Sequence, residues 1–190
     1  MSEKKLRKVT PIGEAKWANV HTPKAAFKDD HGTKGEPKYQ IDVVFSSDKP
    51  EWSEWAKAVM DELRAMPEQM DKKTGETIKK QSPIKRELDE TDNPTGRFYV
   101  TFKTNARFKP GVFDRFGQPI PESVLVGNGS MVRVSYTENV YPGFGGGINF
   151  YLNAVQVVDL VEYKSQNASA FGFPVEENTN TAPEESSIPF

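Results

Sequence analysis

Apolar and polar residues alternate cleanly from Tyr39 to Phe45, and the same period of two returns several times along the chain. Tyr39, Ile41, Val43 and Phe45 share one side, and Gln40 and Asp42 share the other. Successive strand side chains point to opposite faces, so this is the mark of a half-buried strand. Arg97 to Phe108 and Met131 to Thr137 alternate in the same way, Ile12 to Val20 reads as a first strand, and Ile148 to Val161 as a long apolar one. The period changes once. Trp52, Trp55, Ala56, Val59, Leu63 and Met66 fall on one face at helical spacing, which predicts one amphipathic helix over about 51–66. Asp48 and Glu51 are placed as a capping-box-like start and Pro67 as a stop. The two helical tryptophans read as core anchors in preference to base-stacking groups.

About five strands with one interposed helix, and no helix–strand alternation, exclude a Rossmann-like sheet. They predict an all-β architecture, a small five-stranded antiparallel Greek-key barrel of the oligonucleotide/oligosaccharide-binding (OB) type. Periodicity alone leaves an SH3-like barrel or a sandwich open. Residues 71–96 form a long polar excursion, basic in its first half and acidic in its second, expected to be a functional or disordered loop. Gly127-Asn128-Gly129 marks a turn, and Pro142 to Gly147 connects the last two strands. Beyond Tyr163 the sequence is rich in Asn, Ser, Thr, Glu and Pro and cannot bury enough surface to order itself. The expected organisation is a domain over 1–164 and a flexible acidic tail over 165–190.

Charge follows that division. Residues 1–164 hold all 25 Lys and Arg, and residues 165–190 hold no base and four acids, Glu176, Glu177, Glu184 and Glu185. A weakly basic body tethered to an anionic tail is compatible with an anionic ligand, although the whole chain is slightly acidic. Cysteine is absent, so disulfides, thiolate catalysis and Cys-based zinc sites are excluded. No apolar stretch follows the charged N-terminus, and no apolar run approaches the roughly 20 residues of a membrane helix. The expected location is the cytoplasm, with no membrane partner.

The strand running from Arg97 to Lys109 carries the main functional signal. Phe98, Val100, Phe102 and Phe108 share one parity; Arg97, Tyr99, Lys103, Arg107 and Lys109 share the other. Cations track phosphates, and a Tyr ring offers a face on which any base stacks. The competing reading is a solvated strand face kept basic to discourage edge pairing. Lys16, Trp17, Arg133 and Tyr151 lie on other strands and add to the same groove. Lys72, Lys73, Lys79, Lys80, Lys85 and Arg86 of the long loop are placed to wrap a nucleic-acid backbone. In the tail, Glu184, Glu185, Ile188, Pro189 and Phe190 form an acidic, aromatic tip suited to a pocket with an apolar floor and a cationic rim. Catalytic readings fare poorly. His31 beside Asp29 and Asp30 is a weak metal pattern, Asp89, Glu90 and Asp92 read as a solvated charge run, and the Gly143–Gly147 stretch lacks the Lys-Ser/Thr of a phosphate loop. No catalytic residue, metal or cofactor is expected.

Lys16-Trp17 with Pro23-Lys24, then Lys38-Tyr39 leading into Ser47-Asp48, and above all Gly145 to Val158 (GGGINFYLNAVQVV) resemble a bacteriophage single-stranded DNA-binding protein family. The Ile188-Pro189-Phe190 tip also resembles the end of bacterial single-stranded DNA-binding proteins. The resemblance implies an OB-fold protein, not an enzyme, that coats single-stranded DNA during phage replication, recombination and repair. It implies that the tail recruits a DNA polymerase, helicase/primase or other replication proteins; a homodimer stays open. Two alternatives remain: an OB-fold adaptor whose main ligand is protein, and a metal-dependent nuclease.

Overall fold

The computed structural model describes residues 6–26 and 35–163. Ten strands and one helix follow in the order β1 (Arg7–Val9), β2 (Gly13–Lys24), β3 (Lys38–Ser46), α1 (Pro50–Ala65), β4 (Gln69–Met70), β5 (Thr77–Ile78), β6 (Ile84–Leu88), β7 (Pro94–Asn105), β8 (Gly111–Phe113), β9 (Met131–Tyr141) and β10 (Gly147–Asp159). Five of the strands close a ring. β2 pairs antiparallel with β3, β3 with β7, β10 with β9, and β9 with β2. The remaining contact, β10 against β7, is parallel and spans Phe150↔Phe102 and Tyr151↔Lys103. An odd ring cannot alternate direction all the way round, so one parallel seam is unavoidable. This closed circuit is the OB barrel. β1 extends the β9 edge, β6 adds to β7, and β8 runs beside the end of β10.

Inward parity fills the barrel with Ile41 and Val43 from β3, Val100 and Phe102 from β7, Val132, Val134 and Tyr136 from β9, and Phe150 and Leu152 from β10. Parity breaks at several bulges, and two of them reset the core-facing side chains. One lies in β2 between Lys16 and Asn19, and the other in β10 between Leu152 and Ala154. Each inserts one residue, so β2 buries Ala15 and then Val20, and β10 buries Leu152 and then Val155. The helix closes one end. Trp52 stacks on Phe45 with centroids 4.3 Å apart, and its Nε1 donates to the Ile12 carbonyl at 2.8 Å. Trp55 Nε1 donates to the Tyr136 hydroxyl at 2.8 Å. Both rings are therefore core anchors with their polar atoms satisfied.

Several expectations need correcting. The helix starts through Pro50 after Lys49 with no side-chain cap, so Asp48 and Glu51 form no capping box; Pro supplies the helical φ at a position whose N–H needs no partner. The strand expected to reach Lys109 ends at Asn105, and Phe108, assigned inward, is 61% exposed in the following turn. The 71–96 excursion is not a free loop. β4 and β5 form a small hairpin, Lys80 Nζ donates to the Arg64 carbonyl at the end of α1 at 2.8 Å, and β6 is bonded to β7 over Ile84↔Val100 and Lys85↔Tyr99. In the β9–β10 connection Gly145 and Gly146 adopt φ of 87° and 89°, and a Cβ on Gly147 would stand 2.3 Å from the Tyr141 hydroxyl, so these glycines serve geometry.

Phe102, Phe150 and Tyr136 meet with centroids 5.1–5.4 Å apart directly beneath the parallel seam. Phe150→Ala is expected to cost about 3–5 kcal/mol by leaving a cavity there. Urea denaturation checks this; a loss below about 1 kcal/mol contradicts the assigned role of the seam.

Candidate nucleic-acid interface

Outside the same seam, parity places the opposite chemistry. Lys103 and Tyr151 are register partners and both face outward, one residue along from the buried Phe102–Phe150 pair. A groove of about 710 Å³ follows them. Five cations line it: Arg7, Lys38, Lys103, Arg107 and Lys109. No carboxylate lines it, and its rings are Phe108, Phe150 and Tyr151. Lys109 is ion-paired with Glu122. Among the described residues Lys38, Lys103 and Arg107 have no ion pair. Burial holds the Lys103 ammonium below the ordinary lysine range, and the like charges of Lys38 and Lys85 push the same way. The nearby Asp42 carboxylate opposes them but forms no ion pair with Lys103, and a crowded cation of this kind is a ready site for phosphate. Arg107 lies over the Phe108 ring at 5.0 Å, a cation–π pair at the groove's edge.

A second groove, about 660 Å³, lies further along the outer wall and includes Trp17, Tyr99, Lys16, Arg86 and Arg97. Tyr99 and Lys103 share one face of β7, four residues or roughly 13 Å apart, so the grooves occupy one wall. Trp17 is 66% exposed and has φ of 51°, unusual for a bulky residue. The β2 bulge imposes this geometry, and two side chains hold it. Trp17 N–H donates to Asn128 Oδ1 at 2.9 Å, and Asn19 Nδ2 donates to the Trp17 carbonyl at 3.0 Å. The result is a ring presented to solvent on a fixed backbone. Lys85 sits over the Tyr99 ring at 5.9 Å.

The expected site residues thus divide. Lys103, Arg107, Lys109 and Tyr151 meet in the first groove, and Lys16, Trp17, Arg97 and Tyr99 in the second. Arg133 lines neither; it faces outward on β9 beside Gln156. Lys16 and Arg97 are engaged by carboxylates. Glu87 accepts from Lys16 and from Arg97 Nε at 2.7 Å, and Arg97 Nη1 donates to Glu14 at 2.7 Å. Sequence reasoning did not bring Arg7, Lys38 or Phe108 to the first groove, and it placed Lys85 on a loop where the structure has it in β6 over Tyr99. Lys109-Pro110-Gly111 was the signal available for Phe108, because it marks the end of a strand. Of the basic loop residues only Arg86 lines either groove; Lys72, Lys73, Lys79, Lys80 and Lys85 line neither. Asp89 accepts bonds from Thr91 and Asn93 within its own turn, so the acidic run is turn chemistry. Among the described residues no three His, Cys, Asp or Glu are grouped to hold a metal ion, and no helix is long and apolar enough to cross a membrane. His31, Asp29, Asp30 and the tail residues Glu184, Glu185, Ile188, Pro189 and Phe190 lie outside the described residues.

Neither a family model nor a curated protein matches the sequence. Solved structures share the fold. The chain is similar to gp2.5, a single-stranded DNA-binding protein encoded by bacteriophage T7, at a TM-score of 0.58 and 18% identity over 94% of this chain and 100% of that one. It is also similar to the single-stranded DNA-binding protein from bacteriophage Enc34 in complex with ssDNA, at a TM-score of 0.57 and 18% identity over 80% of this chain and 86% of that one. At such identities the likeness is one of fold.

Burial opposes ionisation of Glu87, but hydrogen bonds from Lys16, Thr95 and Arg97 outweigh it and hold the carboxyl down at about 2. A depressed carboxyl contributes stability that is complete above its unfolded value near 4.3 and is lost as pH falls through about 2. Glu87→Gln is therefore expected to cost about 1–2 kcal/mol at pH 7, allowing for solvent around its partners. The gap to wild type should close between about pH 4.5 and 2. Urea melts at several pH values check this; a gap that stays constant across that window contradicts the network.

Proposed function

We propose that this chain binds single-stranded DNA with little sequence selection. The sugar–phosphate backbone follows Lys38, Lys103 and Arg107, and bases stack on Tyr151 and, further along the wall, on Tyr99 and Trp17. The observation that carries the reading is a carboxylate-free groove with an outward Tyr on the barrel wall and four cations, Arg7, Lys38, Lys103 and Arg107, that have no ion pair among the described residues. A ring accepts any base face and an ammonium accepts any phosphate, so the arrangement favours coating over sequence readout. The two phage proteins sharing the fold are described as single-stranded DNA-binding proteins, and one was solved with ssDNA, which supports the same reading. In this reading the protein covers exposed strands during phage DNA replication and recombination, and the acidic residues 165–190 recruit replication proteins. Lys16 and Arg97 act through Glu87 to shape the wall, and Arg133 stands apart from the path.

Anisotropy titrations with labelled oligo-dT across a salt series test the proposal. Binding is expected to weaken with salt, and Lys103→Ala and Arg107→Ala should each reduce the log–log slope by about 0.7. Tyr151→Ala should lose about 1–3 kcal/mol with the slope unchanged. Arg133→Ala should match wild type. Wild-type affinity and slope in both cation variants, or equal binding losses in Arg133→Ala, would overturn the path.

A further inference from the structure

A third groove, about 590 Å³, is lined by residues 17–22 of β2, by residues 125–128 and by residues 161–163. Its frame is hydrogen-bonded. Tyr163 N–H donates to the Leu125 carbonyl at 3.0 Å, and Gly127 N–H to the Val161 carbonyl at 2.7 Å. The buried Ser130 hydroxyl donates to the Gly127 carbonyl at 2.8 Å and accepts from Val161 N–H at 3.0 Å. Two exposed rings, Trp17 and Tyr163, line the groove together with Leu125 and Val161. Among the described residues no Lys or Arg lines it, in contrast to both grooves above, and Glu162 is its one carboxylate. A phosphate finds no cation here. His21 also lines it, only 7% exposed, and its Nε2 is buried with no hydrogen-bond partner. An orphaned polar atom of this kind costs free energy until a ligand supplies the missing bond.

A flat, neutral ligand with hydrogen-bonding edges fits this lining, and a nucleobase has that chemistry. We propose, on the single-strand reading above, that the groove receives one base of the bound strand, held against the Trp17 and Tyr163 rings with an edge bonded to His21 Nε2. Trp17 and Asn128 line both this groove and the second one, so a strand following the cations of that wall can turn one base past Trp17. Burial, helped by the charge of Lys109 and opposed by Glu122, holds the imidazole below the ordinary histidine range, so it is neutral near pH 7. A neutral imidazole bonds to a base edge as donor or acceptor, according to its tautomer. A ring face accepts every base, whereas a single edge bond does not. One nucleotide of the footprint therefore carries a base preference of about fivefold, the worth of one net hydrogen bond, on a wall that otherwise does not choose.

Uncharged deoxynucleosides need no cation, so they probe this groove separately from the strand path. In ¹⁵N spectra of the full chain, saturable shifts are expected at the amides of residues 125–128, at Tyr163 and at the His21 imidazole. The tightest of deoxyadenosine, deoxycytidine and thymidine should bind about fivefold better than the weakest. His21→Phe keeps a ring without the nitrogen and should level that ranking. Tyr163→Ala, at an exposed ring outside the core, should weaken all three about fivefold or more. With oligonucleotides of the same three bases, His21→Phe should narrow the spread of affinities about fivefold at an unchanged salt slope. Shifts centred on Tyr151 or spread evenly, or a ranking that survives His21→Phe, overturn the proposal. If oligonucleotides bind with their salt slope and no nucleoside moves these signals, this proposal alone falls. If nucleosides occupy the groove and no oligonucleotide binds, the single-strand reading falls with it.

Discussion

Phe150 lies against Phe102 where β10 closes the barrel beside β7, with centroids 5.4 Å apart, and this contact organises both sides of the wall. A five-membered ring of strands must contain one parallel junction, and hydrogen bonding there is brief, covering two register pairs. The aromatic cluster of Phe102, Tyr136 and Phe150 supplies the packing that the short ladder lacks. Strand parity then fixes the outside. A residue next to each buried Phe must point outward, so Lys103 and Tyr151 meet there as neighbours. The cation and the ring of the main groove are positioned by the packing of the core behind them.

Charge on this wall is sorted. Glu14, Glu87, Lys16 and Arg97 neutralise one another at one end, where they lock β2, β6 and β7 together. At the other end Lys38, Lys103 and Arg107 are left without carboxylates. Asp42 lies between the two; burial is the main influence and raises its carboxyl, opposed by a bond from Thr101 and by nearby lysines. The same residue types therefore hold the barrel together in one place and stay free to attract an anion in another. Only the three-dimensional arrangement tells Arg97 from Lys103, although both stand on one face of one strand.

That limit explains what the sequence made legible. The barrel class, the single helix and the tryptophan anchors were readable because period-two and period-3.6 patterns report burial directly. The outward placement of Tyr99, Lys103 and Tyr151 was readable because their strands keep regular parity around them. Arg97 was over-read, since its partner Glu87 comes from β6, a strand hidden in a stretch that looked like loop. Phe108 was assigned inward because alternation was carried past Asn105, where the strand ends. Nothing local to Lys38 marks it as a groove residue; the register Lys38↔Asn105 brings it there. Pairing across the sheet is long-range information, and one sequence does not state it.

The account's central claim is that unpaired DNA lies along the outer side of the β7–β10 seam. A structure of the full chain with a short oligo-dT bound tests it most directly. Phosphates beside Lys38, Lys103 and Arg107, with a base against the Tyr151 ring, are the predicted result. An oligonucleotide lying across α1, or along β9 beside Arg133 with the seam empty, would contradict it.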